Sequence, residues 1–419
     1  MTTDRFSAEP ASANILVVDD TAANLQVLVG MLKDRGYKVR PAPSGKLAIA
    51  AALRESPDLI LLDINMPDMN GYEVCQYLKS NEQLKRIPVI FISALSEQLD
   101  KVKAFATGGV DYITKPFQME ELHARVETHL KLHRLQHELE EANTRLAKVN
   151  DRMSRDLKAA AKIQQTFLPE EMPSVDGANF AWIYRPCDEL AGDALNVIPF
   201  GNGQFGLYVL DVSGHGVASA LLSVTISRLL SRPSDPSSIL RGARNAKELH
   251  AVSLPSEIAA HLNRLFPLDA ATEQLTTMVY GILSIPTGDF NYVSAGHPGP
   301  VHLAFGKEPV ILESAGFPLG LTDGVYQERT IRLGPGDRLY LYSDGVPEAM
   351  NSAGTQFGNA RLLKAISQRR EQPLQEGISS LLAELVTWQE SENPQDDVSI
   401  VAVEMLSKAF SSSAEKFGQ

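Results

Sequence analysis

The sequence predicts two globular units joined by a long helix. The first is a doubly wound α/β unit with a five-stranded parallel sheet, the linker is a helical coiled coil, and the second is an α+β unit built on antiparallel sheets. Three observations predict this order. Short apolar runs alternate with amphipathic stretches, heptad spacing follows, and many apolar runs separated by Gly, Pro and Asp turns fill the rest. A chain of 419 residues is long enough for more than one core.

The composition is that of a globular protein in a reducing compartment. Apolar residues make up 44% and charged residues 21%, and the net charge of −12 argues against a nucleic-acid surface. Cys75 and Cys187 are too few for a disulfide framework or a thiolate zinc site. Residues 1–14 lack a signal-peptide pattern, and no run of about 18 apolar residues exists. We therefore expect a cytoplasmic protein that binds neither nucleic acid nor membrane.

The first unit is predicted at residues 14–130, after a disordered N-terminus at 1–13. Its apolar runs are followed by chemically active side chains. ILVV precedes Asp19 and Asp20, LILL precedes Asp63, VIFI precedes Ser93, and YIT precedes Lys115. The carboxyl ends of parallel strands form one edge of a sheet. Carboxylates there can bind a hard divalent cation and accept a phosphoryl group. Taken singly, such an Asp is often a helix N-cap, but the whole set favours a phosphoryl-acceptor site.

Four motifs of this unit resemble the receiver domain of two-component response regulators: VDD at 18–20, DINMPDMNG at 63–71, SA at 93–94 and KPF at 115–117. The resemblance implies phosphorylation of Asp63 by a cognate histidine kinase. It also implies one Mg²⁺ bound by Asp19, Asp20, Asp63 and the backbone carbonyl of Asn65. Ser93 and Lys115 would contact the phosphoryl group, and Tyr112 would be the aromatic switch.

The linker is predicted at residues 131–165 from a seam with alternating spacings of three and four. Its members are Leu132, Leu135, Leu139, Ala142, Leu146, Val149 and Met153. The next apolar residue, Leu157, comes at a spacing of four, so the repeat stutters there. Either a two-stranded parallel coiled coil or one amphipathic helix packed on its own domain fits this pattern.

The second unit is predicted at residues 166–405, before a disordered tail at 406–419. Asp193, Asp211, Asp344 and Asp396 stand in turn-like contexts next to apolar strands. Each alone is more often a turn residue. Together they would repel one another unless cations bind among them, and oxygen ligands favour Mg²⁺ or Mn²⁺ over Zn²⁺. Two such ions about 4 Å apart can activate water for attack on a phosphate monoester.

The ordered motifs of this unit resemble the metal-dependent protein phosphatases of the 2C class, in the branch of the stage II sporulation phosphatase and the sigma-factor regulators. They are IQQTFLP at 163–169, RPCDELAGD ending at Asp193, DVSGHG at 211–216, TTMVYG at 276–281, SAGHPGP at 294–300, GFPLG at 316–320, YSDGV at 342–346 and DDVS at 396–399.

The phosphatase resemblance implies two antiparallel sheets flanked by helices and two Mn²⁺ or Mg²⁺ ions. Asp211 would bridge the ions, and the other ligands would be Asp193, Asp344, Asp396 and the carbonyl of Val212. Asp211 and Asp344 are the candidate catalytic residues. This branch commonly reads GGDFYD, whereas this chain reads AGDALN and has Asn196 where an Asp is usual. His215 and His297 are candidates for a general acid, with hydrogen-bonded loop residues as the alternative.

Together the two resemblances imply a two-component response regulator in which Asp63 phosphorylation controls a protein serine/threonine phosphatase. The implied substrate is a phosphoprotein, such as a phosphorylated anti-sigma-factor antagonist, and the linker predicts a homodimer. The alternative is a catalytically inactive, phosphatase-like adaptor that binds a sigma factor or another regulator under receiver control. The presence of all four Asp residues favours the enzyme.

Overall fold

The computed structural model describes residues 13–94, 98–169, 173, 175–214, 216–240, 252–268 and 274–407. Disorder is predicted for 1–13 and 406–419, and residues 1–12 and 408–419 of these segments lie outside the described residues. The chain divides into two compact units, Met1–Asp151 and Arg152–Gln419. None of the described helices is both long enough and apolar enough to cross a bilayer.

The first unit is the predicted five-stranded parallel sheet, in the order β2-β1-β3-β4-β5. Residues alternating along β1 enter two separate apolar clusters, with Ile15 and Val17 in one and Leu16 and Val18 in the other. The sheet is therefore buried on both faces, as its continuous apolar runs require. The elements are β1 (Asn14–Val18), α1 (Ala22–Lys33), β2 (Lys38–Ala42), α2 (Gly45–Arg54), β3 (Leu59–Asp63), α3 (Gly71–Ser80), β4 (Val89–Ala94), α4 (Gln98–Ala106), β5 (Asp111–Lys115) and the start of α5 (Met119–Gln165).

Helix α5 runs for 47 residues without a Pro or Gly and links the two units. Its first turns bury Leu122 and Val126 against the sheet. Six seam residues farther along are 51% to 66% exposed: Leu132, Leu135, Leu139, Leu146, Val149 and Met153. The alternative in which this seam packs on its own domain is therefore wrong for the single chain.

The second unit contains two antiparallel sheets, in the orders β13-β10-β9-β8-β7 and β12-β11-β14-β15-β6. One apolar cluster joins their inner faces, as Leu207 and Val209 of one sheet meet Leu339 and Val401 of the other. Its elements are β6 (Ala178–Arg185), β7 (Ala194–Gly201), β8 (Gln204–Val212), α6 (Val217–Leu229), α7 (Pro255–Leu265), β9 (Thr276–Ser284), β10 (Asp289–Ala295), β11 (Val301–Leu303), β12 (Val310–Ile311), β13 (Arg329–Arg332), β14 (Arg338–Tyr342), α8 (Gly358–Gln368), α9 (Leu374–Gln389) and β15 (Val398–Met405).

Helices cover the outer faces of both sheets. Ile226 of α6 and Ile258 of α7 share a cluster with the first sheet, whereas Leu362 of α8 and Leu381 of α9 share one with the second. The fold predicted for the second unit is thus confirmed. Buried apolar layers therefore fix the positions of the strand ends in both sheets.

Candidate functional site

The first candidate site lies at the carboxyl edge of the parallel sheet. Carboxylate oxygens of Asp19, Asp20 and Asp63 lie within 4.8 Å of one another. Asp19 and Asp63 are buried and Asp20 is exposed. Lys115, at the end of β5, places its Nζ 2.9 Å from Asp19 Oδ2 and 3.1 Å from Asp63 Oδ1. The structure therefore brings together the predicted carboxylates and the predicted cation.

The charges of this edge are incompletely balanced. Burial raises the pKa of Asp63, the nearby Lys115 acts to lower it, and Asp19 raises it further. A divalent cation would relieve this repulsion and hold the carboxylates ionised. Asn24, which the sequence reasoning missed, donates from Nδ2 to both oxygens of Asp19 at 3.0 Å. The sequence signal that could have found Asn24 was an amide in the first turn of α1, five residues after Asp19.

The remaining receiver residues flank Asp63. Ser93 is buried near the end of β4, next to Ile92, which pairs with Asp63. Asn65 is exposed two residues beyond Asp63. Gly71 closes the intervening loop, where an added Cβ would lie 2.3 Å from the Asp63 carbonyl oxygen. Only glycine can approach the Asp63 backbone so closely.

Tyr112 contacts residues of both α4 and the linker helix α5. Its ring meets Phe105 edge-on at 6.3 Å, and the Arg125 guanidinium of α5 lies 5.6 Å from the ring centroid. Arg125 also donates to Asp111 at 2.7 Å and to Glu121 at 2.9 Å. The predicted switch residue is therefore in contact with the helix that leaves the receiver.

The second candidate site is formed at strand ends of the two antiparallel sheets. Asp211 lies in β8, Asp193 immediately precedes β7, Asp344 follows β14, and Asp396 precedes β15. Burial raises the pKa of Asp211 to about 8, with Asp344 and Asp396 adding to the rise. Burial, followed by Asp396, raises the pKa of Asp344 to about 6. The four predicted carboxylates thus form one mutually repelling group.

Asp193 is the most buried of these carboxylates, at 1% exposure. Burial and the charges of Asp211 and Asp397 raise its pKa well above the usual value. The Ser399 and Ser343 side chains act against this rise, but no described residue makes a hydrogen bond of good geometry to Asp193 Oδ2. A buried carboxylate oxygen without a donor fits a cation ligand, because a bound ion supplies the missing partner. The donor set therefore fits hard divalent ions.

Asp397 has a different environment from Asp396. It is buried, and its two oxygens accept backbone N–H bonds from Cys187 at 2.8 Å, Gly192 at 2.7 Å and Asp193 at 3.3 Å. Asp396 is exposed. Gly192 fits this arrangement because an added Cβ would lie 2.5 Å from the Val212 carbonyl oxygen. Asp397 therefore holds the segment that carries Asp193, a role that the sequence reasoning missed.

The Cys187 thiol lies beside these two aspartates, with its Sγ and their carboxylate oxygens within 4.8 Å of one another. Burial, followed by Asp397, raises the pKa of Cys187 to about 12. The thiol is therefore protonated at neutral pH.

The end of α5 also reaches this site. Gln164 Nε2 donates to the Ala191 carbonyl at 2.7 Å, and its Oε1 accepts from the Ala191 N–H at 3.2 Å. Asn196, the departure from the usual Asp, donates to the Phe167 carbonyl at 3.0 Å. A carboxylate could not donate this bond, so Asn196 suits its surroundings. Both contacts fasten the segment around Asp193 to the helix terminus.

Of the two candidate general acids, His297 is buried among hydrogen-bond partners, and burial lowers its pKa to about 3. The structure therefore favours the hydrogen-bonded alternative for His297. His215 lies outside the described residues.

Comparison with known proteins matches the division into two units. Residues 15–127 match the response regulator receiver domain, and residues 201–406 match the stage II sporulation protein E (SpoIIE) family. The chain is 44% identical over 115 residues to the response regulator PleD of Caulobacter vibrioides, which covers 27% of this chain and 25% of PleD. It is 40% identical over 117 residues to the DNA-binding dual master transcriptional regulator RpaA of Synechocystis sp., covering 28% of this chain and 48% of RpaA. The chain spans about a quarter to a half of these curated relatives.

Among solved structures, the SiaA-PP2C domain of Pseudomonas aeruginosa is similar with a TM-score of 0.52. It is 21% identical, and the match covers 62% of this chain and 99% of that one. This likeness concerns the fold alone. The two units are thus a phosphoryl-receiver fold and a protein phosphatase 2C-like fold. Residues 15–127 in the first unit thus match a response regulator receiver domain, and residues 201–406 in the second match the SpoIIE family.

Proposed function

We propose that this protein is a Mg²⁺- or Mn²⁺-dependent protein serine/threonine phosphatase whose activity is set by phosphorylation of Asp63. The observation that carries the proposal is the group of four aspartates in the second unit. The pKa values of Asp193, Asp211 and Asp344 rise through burial and the repulsion of neighbouring aspartates, and Asp193 Oδ2 lacks a donor among the described residues. This arrangement is unfavourable without cations and fits their binding.

The proposed ligands of the phosphatase ions are Asp193, Asp211, Asp344, Asp396 and the carbonyl of Val212. The ions would lower the pKa of water and neutralise charge on the substrate phosphate. Asp211 and Asp344 are proposed as catalytic residues because they come from different sheets and Asp344 has the largest effect of any charge on the pKa of Asp211. Asp397 is assigned to holding the Asp193 segment, since backbone N–H groups already occupy its oxygens.

In the receiver, Asp63 is the proposed phosphoacceptor for a cognate histidine kinase. Asp19, Asp20, Asp63 and the Asn65 carbonyl would hold one Mg²⁺. Ser93 and Lys115 would contact the phosphoryl group, and Tyr112 would respond to Ser93. The ion pairs of Lys115 with Asp19 and Asp63 support this assignment, because they already place a cation beside the phosphoacceptor.

The proposed substrate is a protein that carries phosphoserine or phosphothreonine, such as a phosphorylated anti-sigma-factor antagonist. We further propose a parallel homodimer through the exposed α5 seam. A stripe of six large apolar residues more than half exposed is typical of an interface, and heptad spacing fits a second copy of the same helix.

The test is phosphate release from a phosphoserine peptide by the full-length protein in Mn²⁺. Asp211→Asn and Asp344→Asn should each lower kcat by about 100-fold or more, because each removes charge from the metal centre without changing side-chain volume. Asp176→Asn, at an exposed turn, is the matched control and should retain activity. Activity in both site variants would exclude this centre. A folded wild type that binds Mn²⁺ but hydrolyses nothing would favour the adaptor.

A further inference from the structure

His297 connects the two sheets of the second unit beside the candidate metal ligands. It lies between β10 and β11 and is 2% exposed. Its Nδ1 is 2.8 Å from the Thr277 hydroxyl oxygen, and its Nε2 is 3.0 Å from the Tyr342 carbonyl oxygen. Both ring nitrogens are therefore occupied by hydrogen-bond partners.

The chemistry of these partners defines the tautomer. A carbonyl oxygen can only accept, so Nε2 carries the proton and donates to Tyr342. Nδ1 then accepts from the Thr277 hydroxyl. Burial lowers the pKa of His297 to about 3, so the ring stays neutral across the physiological range. Such a ring has no free proton to give to a leaving group.

The partners of His297 lie next to the carboxylates. Thr277 of β9 is the register partner of Asp211 in β8. Tyr342 ends β14, two residues before Asp344. Strands β9 and β14 belong to different sheets. The ring therefore joins β9, which lies beside Asp211, to β14, which precedes Asp344.

The backbone of His297 is also fixed. Its carbonyl oxygen accepts hydrogen bonds from the Ser294 hydroxyl at 2.8 Å and the Ser314 hydroxyl at 2.5 Å. Hydrogen bonds therefore hold both the backbone and the ring of His297 in place. A network of this kind favours a rigid residue over a movable acid–base group.

We propose that His297 is a positioning residue of the metal centre, whose neutral imidazole fixes the separation of Asp211 and Asp344. This inference rests on the proposed phosphatase function. Ligands must be held at the spacing of the ions before the ions arrive, since each misplacement lowers affinity. Loss of the cross-link should then weaken ion binding more than it weakens folding.

The experiment measures Mn²⁺ affinity of the full-length protein by titration calorimetry, with Asp211→Asn as the reference for loss of the phosphatase ions. His297→Phe keeps a planar ring but removes both hydrogen bonds. Thr277→Val removes only the donor to Nδ1. We expect His297→Phe to weaken Mn²⁺ binding by about tenfold or more and Thr277→Val by a smaller factor. With saturating Mn²⁺, kcat should recover partly while the substrate KM stays unchanged.

The matched control is His302→Phe. His302 is only partly buried, and its Nε2 lies 2.9 Å from Asp337 Oδ2. This variant should lower the melting temperature without changing Mn²⁺ affinity. Affinities within about twofold of wild type for both His297→Phe and Thr277→Val would overturn the inference. If His297→Phe does not fold, the Mn²⁺ affinity of Thr277→Val alone tests the inference. Identical Mn²⁺ binding by wild type and Asp211→Asn would instead refute the proposed phosphatase centre.

Discussion

At the scale of single residues, the neighbouring Asp396 and Asp397 have different proposed roles. Asp396 is a proposed metal ligand, whereas Asp397 accepts backbone hydrogen bonds. Asp396→Asn should abolish turnover and weaken Mn²⁺ binding with little change in melting temperature, because Asp396 is exposed. Asp397→Asn should lower the free energy of unfolding by about 1–3 kcal/mol, since an amide nitrogen would replace an oxygen that accepts buried N–H bonds. Thermal unfolding and Mn²⁺ titration of both variants check this. Reversed effects would show that the ligand is Asp397.

Asp211 gives the metal-free protein a pH dependence. Its pKa of about 8 in the folded chain lies far above that of an unfolded Asp. The folded state therefore holds the extra proton between these values, so stability falls as pH rises and levels off above about pH 8. Chelator-treated protein should melt at a lower temperature at about pH 8 than at about pH 6. Mn²⁺ should reverse the loss, and Asp211→Asn should reduce it. A melting temperature that rises with pH would contradict this.

The candidate site residues that stand at strand ends were predictable from the sequence. Asp19 and Asp63 come directly after or at the end of an apolar run, where the strand ends of a parallel sheet converge. Asp344 follows an apolar run by two residues. Gln164 and Asp397 carried no such signal. Their partners lie 27 and about 210 residues away, so only the folded chain reveals the bonds. Whether the predicted ligands bind metal stays a prediction.

At the scale of elements, the α5 seam predicts association. Leu139→Lys combined with Leu146→Lys should give a monomer, because charged side chains at two seam positions cannot be buried in a helix pair. Both residues are exposed in the single chain, so each unit should keep its fold. Sedimentation at micromolar concentration measures the change. Glu141→Gln with Lys148→Gln, on the outer face, should remain dimeric, and a monomeric wild type would exclude the dimer.

Elements with a clear apolar pattern were predictable, and an element without a start signal was not. The continuous helix was expected from a run of heptads without Pro or Gly, and α5 indeed ends at Gln165. Helix α8 was missed because it begins after Phe357, which provides no side-chain cap, so the usual start signal is absent. Burial of Leu362 and Ile366 against the second sheet stabilises it instead.

At the scale of the whole molecule, Asp63 phosphorylation should change phosphatase activity through α5. Arg125 links Tyr112 to this helix at one end, and Gln164 links the helix to Ala191 at the other. Beryllofluoride should therefore change kcat several-fold, equivalent to about 1 kcal/mol or more between states. Asp63→Ala should remove the response but keep basal activity.

The control for this coupling is one residue inserted after Met153. The insertion rotates the downstream part of α5 by about 100° and should uncouple the units while each stays folded. Phosphate release with and without beryllofluoride measures both effects. Equal activity in the two conditions for the wild-type dimer would assign the receiver to localisation or partner choice.

The pairing of β15 with β6 has a consequence for biosynthesis. The last strand lies between β14 and β6, and Asp397 at its start holds the segment around Gly192. A ribosome delivers the receiver early, and that unit can fold while translation continues. The second candidate site must wait until β15 has emerged as well. Premature termination before residue 397 should therefore yield a nascent product with a working phosphoacceptor and no catalytic output.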